Sequence, residues 1–310
     1  MLQVLNTADE WFIDGTWDIC KNTMFEQVWV IVARKEPGIS LPCAFYLLPN
    51  KQPETYRRAL KAIKDKGVSN PAKVHVDFER AEINAVKEEL ENGDIITCQV
   101  HWHRALRKNL TDVGLISFYN KSIEVQIFFR KLWALAFVPV DDVIEVYEQL
   151  EKETPEMDEE AEGQSDAAVD FNGKVDKYLN YFQRTWVGPI KKRSKGRGKP
   201  YFPLVLWNKR EEALNREELT SNSSESWNSV SKPCLPMKPN LYGVMEAFRK
   251  EDSLARAKVI EAASGRYVDP NPARTERYQQ RKVRMATAVE AYSSLSLDDW
   301  LSSMIAFYDD

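Results

Sequence analysis

Residues 11–19 read WFIDGTWDI, and how this stretch is read decides the fold of the first third of the chain. Asp-Gly between apolar residues is a strong short-range hairpin signal, which would turn the chain back at Asp14. The strand-like run before Asp14 and the equally strand-like TWDI after it favour one continuous strand instead, with the turn later, near CKNT at 20–23. As a turn residue, Asp14 would be interchangeable with asparagine. On a strand it is an acid of the kind from which metal-dependent sites are built. Gly15 would then lack a side chain because a metal or a DNA backbone comes close.

Working outward, EQVWVIVARK (26–35) and LPCAFYLLP (41–49) are β-branched or aromatic runs with short connections, which predicts an antiparallel meander of three strands. PETYRRALKAIKDKG (53–67) reads as a helix, with Pro53 near its start and Gly67 at its end. AKVHVDF (72–78) is a buried-type strand, ERAEINAVKEELENG (79–93) a helix, DIITCQV (94–100) a fifth strand and HWHRALRKNL (101–110) a basic helix. The order β-β-β-α-β-α-β predicts a mixed α/β sheet with an antiparallel start.

From about Thr111 to Asn215 the signal is helical; VQIFFRKLWALAF (125–137) and VDDVIEVYEQLEKE (140–153) carry helical apolar spacing. EKETPEMDEEAEGQSDAA (151–168) is acidic and of low complexity, which predicts a mobile loop. KKRSKGRGKP (191–200) is its basic counterpart, with six cations in its first nine residues. NSSESWNSV (222–230) opens another helix, 240–263 is a long one, and 274–292 and 296–307 add two amphipathic helices. The expected organisation is a first core part over 1–110, a helical insertion over 111–215, completion of the core over 216–262 and a helical tail over 263–310.

The bulk numbers are those of a globular chain: 310 residues, 43% hydrophobic, 29% charged, net charge −4 and pI about 5.7. An acidic chain binds nucleic acid only through local basic patches. Cys20, Cys43, Cys98 and Cys234 are scattered, so a reducing compartment is expected. MLQVLNTADE at the start has neither the basic nor the apolar region of a secretory signal. The longest apolar run, LWALAFVPV (132–140), is too short to span a bilayer. A soluble, intracellular protein with no membrane partner is expected.

Three acids stand near the predicted sheet: Asp14 on the first strand, Asp77 at the end of the fourth, where sites on α/β sheets concentrate, and Glu225 at a helix start. Their spacings are 77 − 14 = 63 and 225 − 77 = 148 residues. Each has a structural alternative. Asp14 can be a turn residue, Asp77 a helix cap, and Asn222-Ser-Ser-Glu225 a capping box. Asp18, Glu79 and Glu82 are further acids nearby, so composition alone does not select three.

DGTW (14–17), LPCAFYLLPNKQPETY (41–56), VHVDFERAEINAV (74–86), CQVHWHRALRK (98–108), FPLVLWN (202–208) and TSNSSESWN (220–228) follow in that order. Together they resemble the catalytic domain of the Mutator-like element transposases, from about Asn6 to about Ala262. The resemblance implies a ribonuclease H-like core interrupted by an all-helical insertion, with C-terminal helices. It implies catalytic acids at Asp14, Asp77 and Glu225. In that family these would hold two Mg²⁺ ions, for which Mn²⁺ can substitute, with Asp14 bridging both and the other two serving one each. Two such ions roughly 3.5–4 Å apart activate a water or 3′-hydroxyl and neutralise the leaving oxygen. Carboxylate oxygens are the ligands Mg²⁺ prefers.

The resemblance further implies DNA cleavage and strand transfer at element ends, on double-stranded DNA, by a homo-oligomer in the nucleus. Cys98-Gln-Val-His101 matches the family's Cys-x-x-His motif. A zinc site using Cys98, His101 and His103 is the alternative, but it lacks a fourth ligand close in sequence. Arg104, Arg107 and Lys108 on the following helix, and Lys191, Lys192, Arg193, Lys195 and Arg197 in the basic run, are candidate phosphate contacts, with solvated surface as the alternative. The basic run also reads as a nuclear localisation patch. Trp186, Trp207 and Trp227 can stack on a base or fill a core; the core is the better expectation.

Two features depart from the family. The zinc-finger-type module upstream has no counterpart here, which puts terminal-repeat recognition in doubt. Asn228 stands where the family usually has histidine, which puts full catalytic rate in doubt. Two other readings remain open: a truncated or domesticated derivative that binds DNA or protein without transposing, and a stand-alone ribonuclease H-like nuclease.

Overall fold

The computed structural model describes residues 1–16, 25–35, 39–91, 93–155, 165–191, 196–220, 240–269 and 271–308. The chain is an α/β protein dividing into two compact units. Met1–Cys98 with Thr220–Asn271 form one; Gln99–Leu219 with Pro272–Asp310 form the other.

The first unit is built on five strands: β1 (Glu10–Thr16), β2 (Gln27–Lys35), β3 (Ile39–Leu48), β4 (Lys73–Val76) and β5 (Asp94–Thr97). Their order across the sheet is β3-β2-β1-β4-β5. β1, β2 and β3 pair antiparallel, whereas β4 pairs parallel with β1 and with β5. The antiparallel pairs are joined by short connections, whereas each parallel strand is reached through a helix, as such pairing requires. Pro42 lies on β3, which is an edge strand, and the ladder shifts register between Ile31 and Val32 where Pro42 pairs. An edge is where a strand tolerates a residue with no N–H to donate.

Asp14 therefore lies inside a continuous strand. It pairs with Val30, and Gly15 with Trp29, so Asp-Gly is not a turn here. Trp11, Phe12 and Ile13 are buried, and burying this apolar run on the sheet outweighs the local turn preference of Asp-Gly. The turn expected near 20–23 lies outside the described residues. Gly15 has a cause other than the one expected from sequence. A Cβ placed on it would come within 2.5 Å of Gln27 Oε1, so a buried carboxamide of this same chain occupies the space.

One face of the sheet carries Phe12, Val28, Val30 and Val32, packed with Val244, Phe45, Leu47 and Phe248. The Phe45 and Phe248 rings stack at 4.6 Å. The other face carries Trp29, whose ring packs beside Tyr56 at 5.5 Å. Four helices among the described residues belong to this unit: α1 (Leu2–Asn6), too short to be visible in the apolar spacing, α2 (Pro53–Lys64), α3 (Arg80–Glu89) and a long Leu241–Ala263 helix. The last is capped by Asn240, whose side chain accepts from Gly243 N at 2.8 Å.

The second unit is helical. It holds α4 (Gln99–Asp112), α5 (Ile116–Lys121), α6 (Ile123–Ala134), α7 (Val143–Lys152), α8 (Ser165–Phe182), α9 (Leu204–Trp207) and α10 (Arg210–Leu214). With the Leu241–Ala263 helix counted in chain order as α11, the last two are α12 (Pro272–Glu290) and α13 (Leu297–Ile305). α12 packs on α10 and α13 on α6. Lys282 Nζ pairs with Glu218 at 2.8 Å, Lys131 pairs with Asp298, and Tyr308 OH donates to Trp133 O at 2.8 Å. The last helices of the chain are thus built into the helical unit. No helix among the described residues is long and apolar enough to cross a membrane.

Candidate active site on the first unit

β1 and β4 run parallel with Glu10 beside Lys73, Trp11 beside Val74 and Phe12 beside His75. Each of these pairs differs by 63 residues, the same difference that separates Asp14 from Asp77. The spacing is thus the register itself, carried two residues further along both chains. Side chains two apart on a strand share a face. Phe12 and His75 stack at 4.1 Å on one face, and Asp14 and Asp77 each follow two residues later. Asp77 lies one residue beyond β4, at the C-terminal edge of the parallel strands where α/β sheets place ligands.

Asp14 is buried at 5% exposure and Asp77 is half-buried. Both press electrostatically on Glu82, a third carboxyl of this neighbourhood. Glu82 is buried and accepts from Trp29 Nε1 at 2.6 Å. Burial first, then Asp77, raises its pKa well above the ordinary 4.5. The Trp29 hydrogen bond opposes the rise, while Glu79 and Asp14 add to it. Burial of this kind favours the protonated carboxyl. Glu79, two residues past Asp77, accepts from Tyr56 OH at 2.6 Å and from Lys51 Nζ at 2.6 Å.

Carboxylate oxygens are the donor set for a hard divalent cation. Asp14 and Asp77 are the two of the three expected acids that lie among the described residues. Glu225, with its expected capping box, lies outside the described residues, as does Trp227. A ligand oxygen of Asp77 and Cys98 Sγ lie within 4.8 Å of one another. Mg²⁺ makes little use of thiol sulfur; zinc and other thiophilic ions do.

The chain leaves the first unit after Cys98, because α4 starts at Gln99; the expected strand over 94–100 ends at Thr97. His101 lies in the first turn of α4, with Arg104 Nη1 3.3 Å from its Nε2. His103 packs edge-on to Trp133 at 4.6 Å and near Tyr308 at 5.4 Å. Burial pushes its imidazole down to about 4, with Arg107 and Arg130 adding to the effect. It is a neutral histidine within an aromatic cluster.

The basic candidates are spread over the helical unit. Lys108 pairs with Asp112 at 2.6 Å, and the Arg107 guanidinium lies 5.2 Å from the Tyr119 ring. Arg197 is a structural residue. Its side chain is only 6% exposed and pairs with Glu148 at 3.1 Å. It donates to Gly188 O at 3.0 Å and covers the Tyr147 ring at 5.1 Å. A bridge between Ile190 and Arg197 closes this segment, so the glycines of the basic run allow a tight closure there. Lys191 is exposed; Lys192, Arg193 and Lys195 lie outside the described residues. Trp186 and Trp207 are buried. Trp207 stacks on Trp102 at 5.3 Å and donates to Trp186 O at 3.0 Å, which makes both part of a core.

Sequence reasoning did not single out Gln27, Tyr56, Lys51 or the role of Glu82. Their contacts join positions 23 to 53 residues apart, which no local pattern announces. No known family model matches the chain, and none of the curated proteins matches it.

Proposed function

We propose that the first unit is a ribonuclease H-like, metal-dependent phosphodiester-cleaving domain of the DNA transposase kind, with Asp14, Asp77 and Glu225 as its acids. One observation carries the reading. Asp14 lies two residues past Phe12 on β1, and Asp77 two past its partner His75, just beyond the end of β4, so the two acids stand at the same end of neighbouring parallel strands. Three antiparallel strands followed by parallel β4 and β5 support the fold assignment, since that is the arrangement the resemblance leads one to expect.

Asp14 and Asp77 would hold the divalent cations through their carboxylate oxygens, with Glu225 as the third acid. Such ions supply an activated nucleophile and neutralise the leaving oxygen. The chain's own contribution is to keep the two acids in fixed register. Asp14 is held by its ladder with β2; Asp77 sits between the end of β4 and the start of α3. Burial of Glu82, against the opposing Trp29 hydrogen bond, favours its neutral form, which would limit the negative charge near the site. In this reading the substrate is double-stranded DNA in the nucleus. Arg197, engaged within the protein, is not one of its phosphate contacts.

The test compares supercoiled plasmid with an RNA–DNA hybrid duplex in Mg²⁺ and in chelator. Nicking of the plasmid that needs Mg²⁺ and exceeds cleavage of the hybrid is the expected result. Cleavage of the hybrid alone points to a stand-alone ribonuclease H-like nuclease. No metal-dependent cleavage of either, with DNA retained in a binding assay, would indicate a binding module derived from a transposase.

A further inference from the structure

We propose that Gln27, Tyr56 and Glu79 form a positioning relay that fixes Asp77, and with it the metal geometry, relative to the strand carrying Asp14. The proposal rests on the metal-centre reading above and goes beyond it in assigning residues that touch neither metal nor substrate.

Asp14 is a strand residue, paired with Val30 of β2. Asp77 lies past its strand, because β4 ends at Val76. The carboxylate of Asp77 sits on a link of three residues, 77–79, before α3 begins at Arg80. On so short a link, a shift of the far end moves the ligand with it. That end is Glu79, and both of its oxygens are engaged: Oε1 accepts from Tyr56 OH at 2.6 Å and Oε2 from Lys51 Nζ at 2.6 Å.

The relay continues toward β1. Gln27 Nε2 donates to Tyr56 OH at 2.8 Å in a buried contact. The Tyr56 hydroxyl, accepting from Gln27, has its own proton for Glu79, so the direction of the chain is fixed as Gln27 to Tyr56 to Glu79. Gln27 is 1% exposed, and its Oε1 occupies the space that a Cβ on Gly15 would need. Gly15 adjoins Asp14. Three side chains from β2, α2 and the β4–α3 link thus connect Gly15, next to Asp14, with Glu79, two residues past Asp77. Burial holds the Tyr56 hydroxyl far above its ordinary pKa, so it remains a proton donor at all physiological pH. The same contacts in a purely structural role would set stability and leave metal affinity untouched. Partners behind metal ligands instead change affinity by about 10–100-fold when removed.

The experiment titrates Mn²⁺ into the full chain, followed by electron paramagnetic resonance. It uses wild type, Tyr56→Phe, Glu79→Gln and Glu79→Ala, each also melted thermally in chelator. Tyr56→Phe removes one hydroxyl with no loss of ring packing, so it is the variant that keeps the fold. Expected is an approximately tenfold weaker Mn²⁺ affinity in Tyr56→Phe. Glu79→Gln, which retains an acceptor for Tyr56, should bind more tightly than Glu79→Ala. Wild-type affinity in Tyr56→Phe and Glu79→Ala, whatever their melting temperatures, would overturn the relay while leaving the metal centre standing. An Asp77→Asn control that binds Mn²⁺ as wild type does would overturn the metal centre, and the relay with it.

Discussion

Asp14→Asn is expected to lower Mg²⁺-dependent nicking of duplex DNA on the order of a thousandfold, about 4 kcal/mol of transition-state stabilisation. Asparagine has nearly the shape of aspartate, so the buried strand position tolerates it and the melting temperature in chelator should hold or rise. What would be lost is charge and one carboxylate oxygen. An amide offers Mg²⁺ a single neutral oxygen, where the carboxylate of Asp14 would offer two charged ones. Asp77→Asn should show the same pattern. A turn residue would behave differently, since Asn-Gly serves a hairpin as well as Asp-Gly does. Retained nicking in Asp14→Asn would therefore remove Asp14 from the site.

The second large effect concerns Glu82. Glu82→Ala leaves the buried Trp29 N–H without its acceptor and opens a void beneath the sheet, for a destabilisation of about 3 kcal/mol or more. Glu82→Gln keeps an acceptor at the same place and should stabilise the protein at pH 8. The sign follows from the raised pKa of this carboxyl. A group whose folded-state pKa lies above its unfolded value favours folding fully below that unfolded value, near 4.5. The contribution is lost as pH rises from there through the folded pKa. Wild-type stability should therefore decline across that window, and Glu82→Gln should flatten the decline, as read from urea midpoints between pH 4 and 8. Parallel profiles for the two proteins would show that Glu82 is ionised in the folded chain.

The meander and the two β–helix steps after it are legible in the sequence, because apolar period and turn residues act locally. The number 63 is legible too, but not its meaning. Only the pairing of Phe12 with His75 turns a sequence interval into a strand register. Gly15 reads from sequence as a close approach by a ligand; its neighbour is Gln27, a lone polar residue at a strand start that carries no signal by itself. Arg197 reads as part of an open basic run, yet its contacts with Glu148 and Tyr147 come from a helix some fifty residues earlier. Glu82 reads as one acid among several on a charged helix. Its partner Trp29 lies 53 residues away, and burial, which determines its protonation, depends on tertiary packing. Local patterns thus placed the strands, with Asp14 on β1, while the contacts around Gly15, Glu82 and Arg197 are long-range.

Anomalous scattering from crystals grown in Mn²⁺ tests the central claim most directly. The account predicts Mn²⁺ within about 2.5 Å of carboxylate oxygens of both Asp14 and Asp77. Mn²⁺ absent from these oxygens at saturating concentration, or held by Cys98 without Asp14, would contradict it.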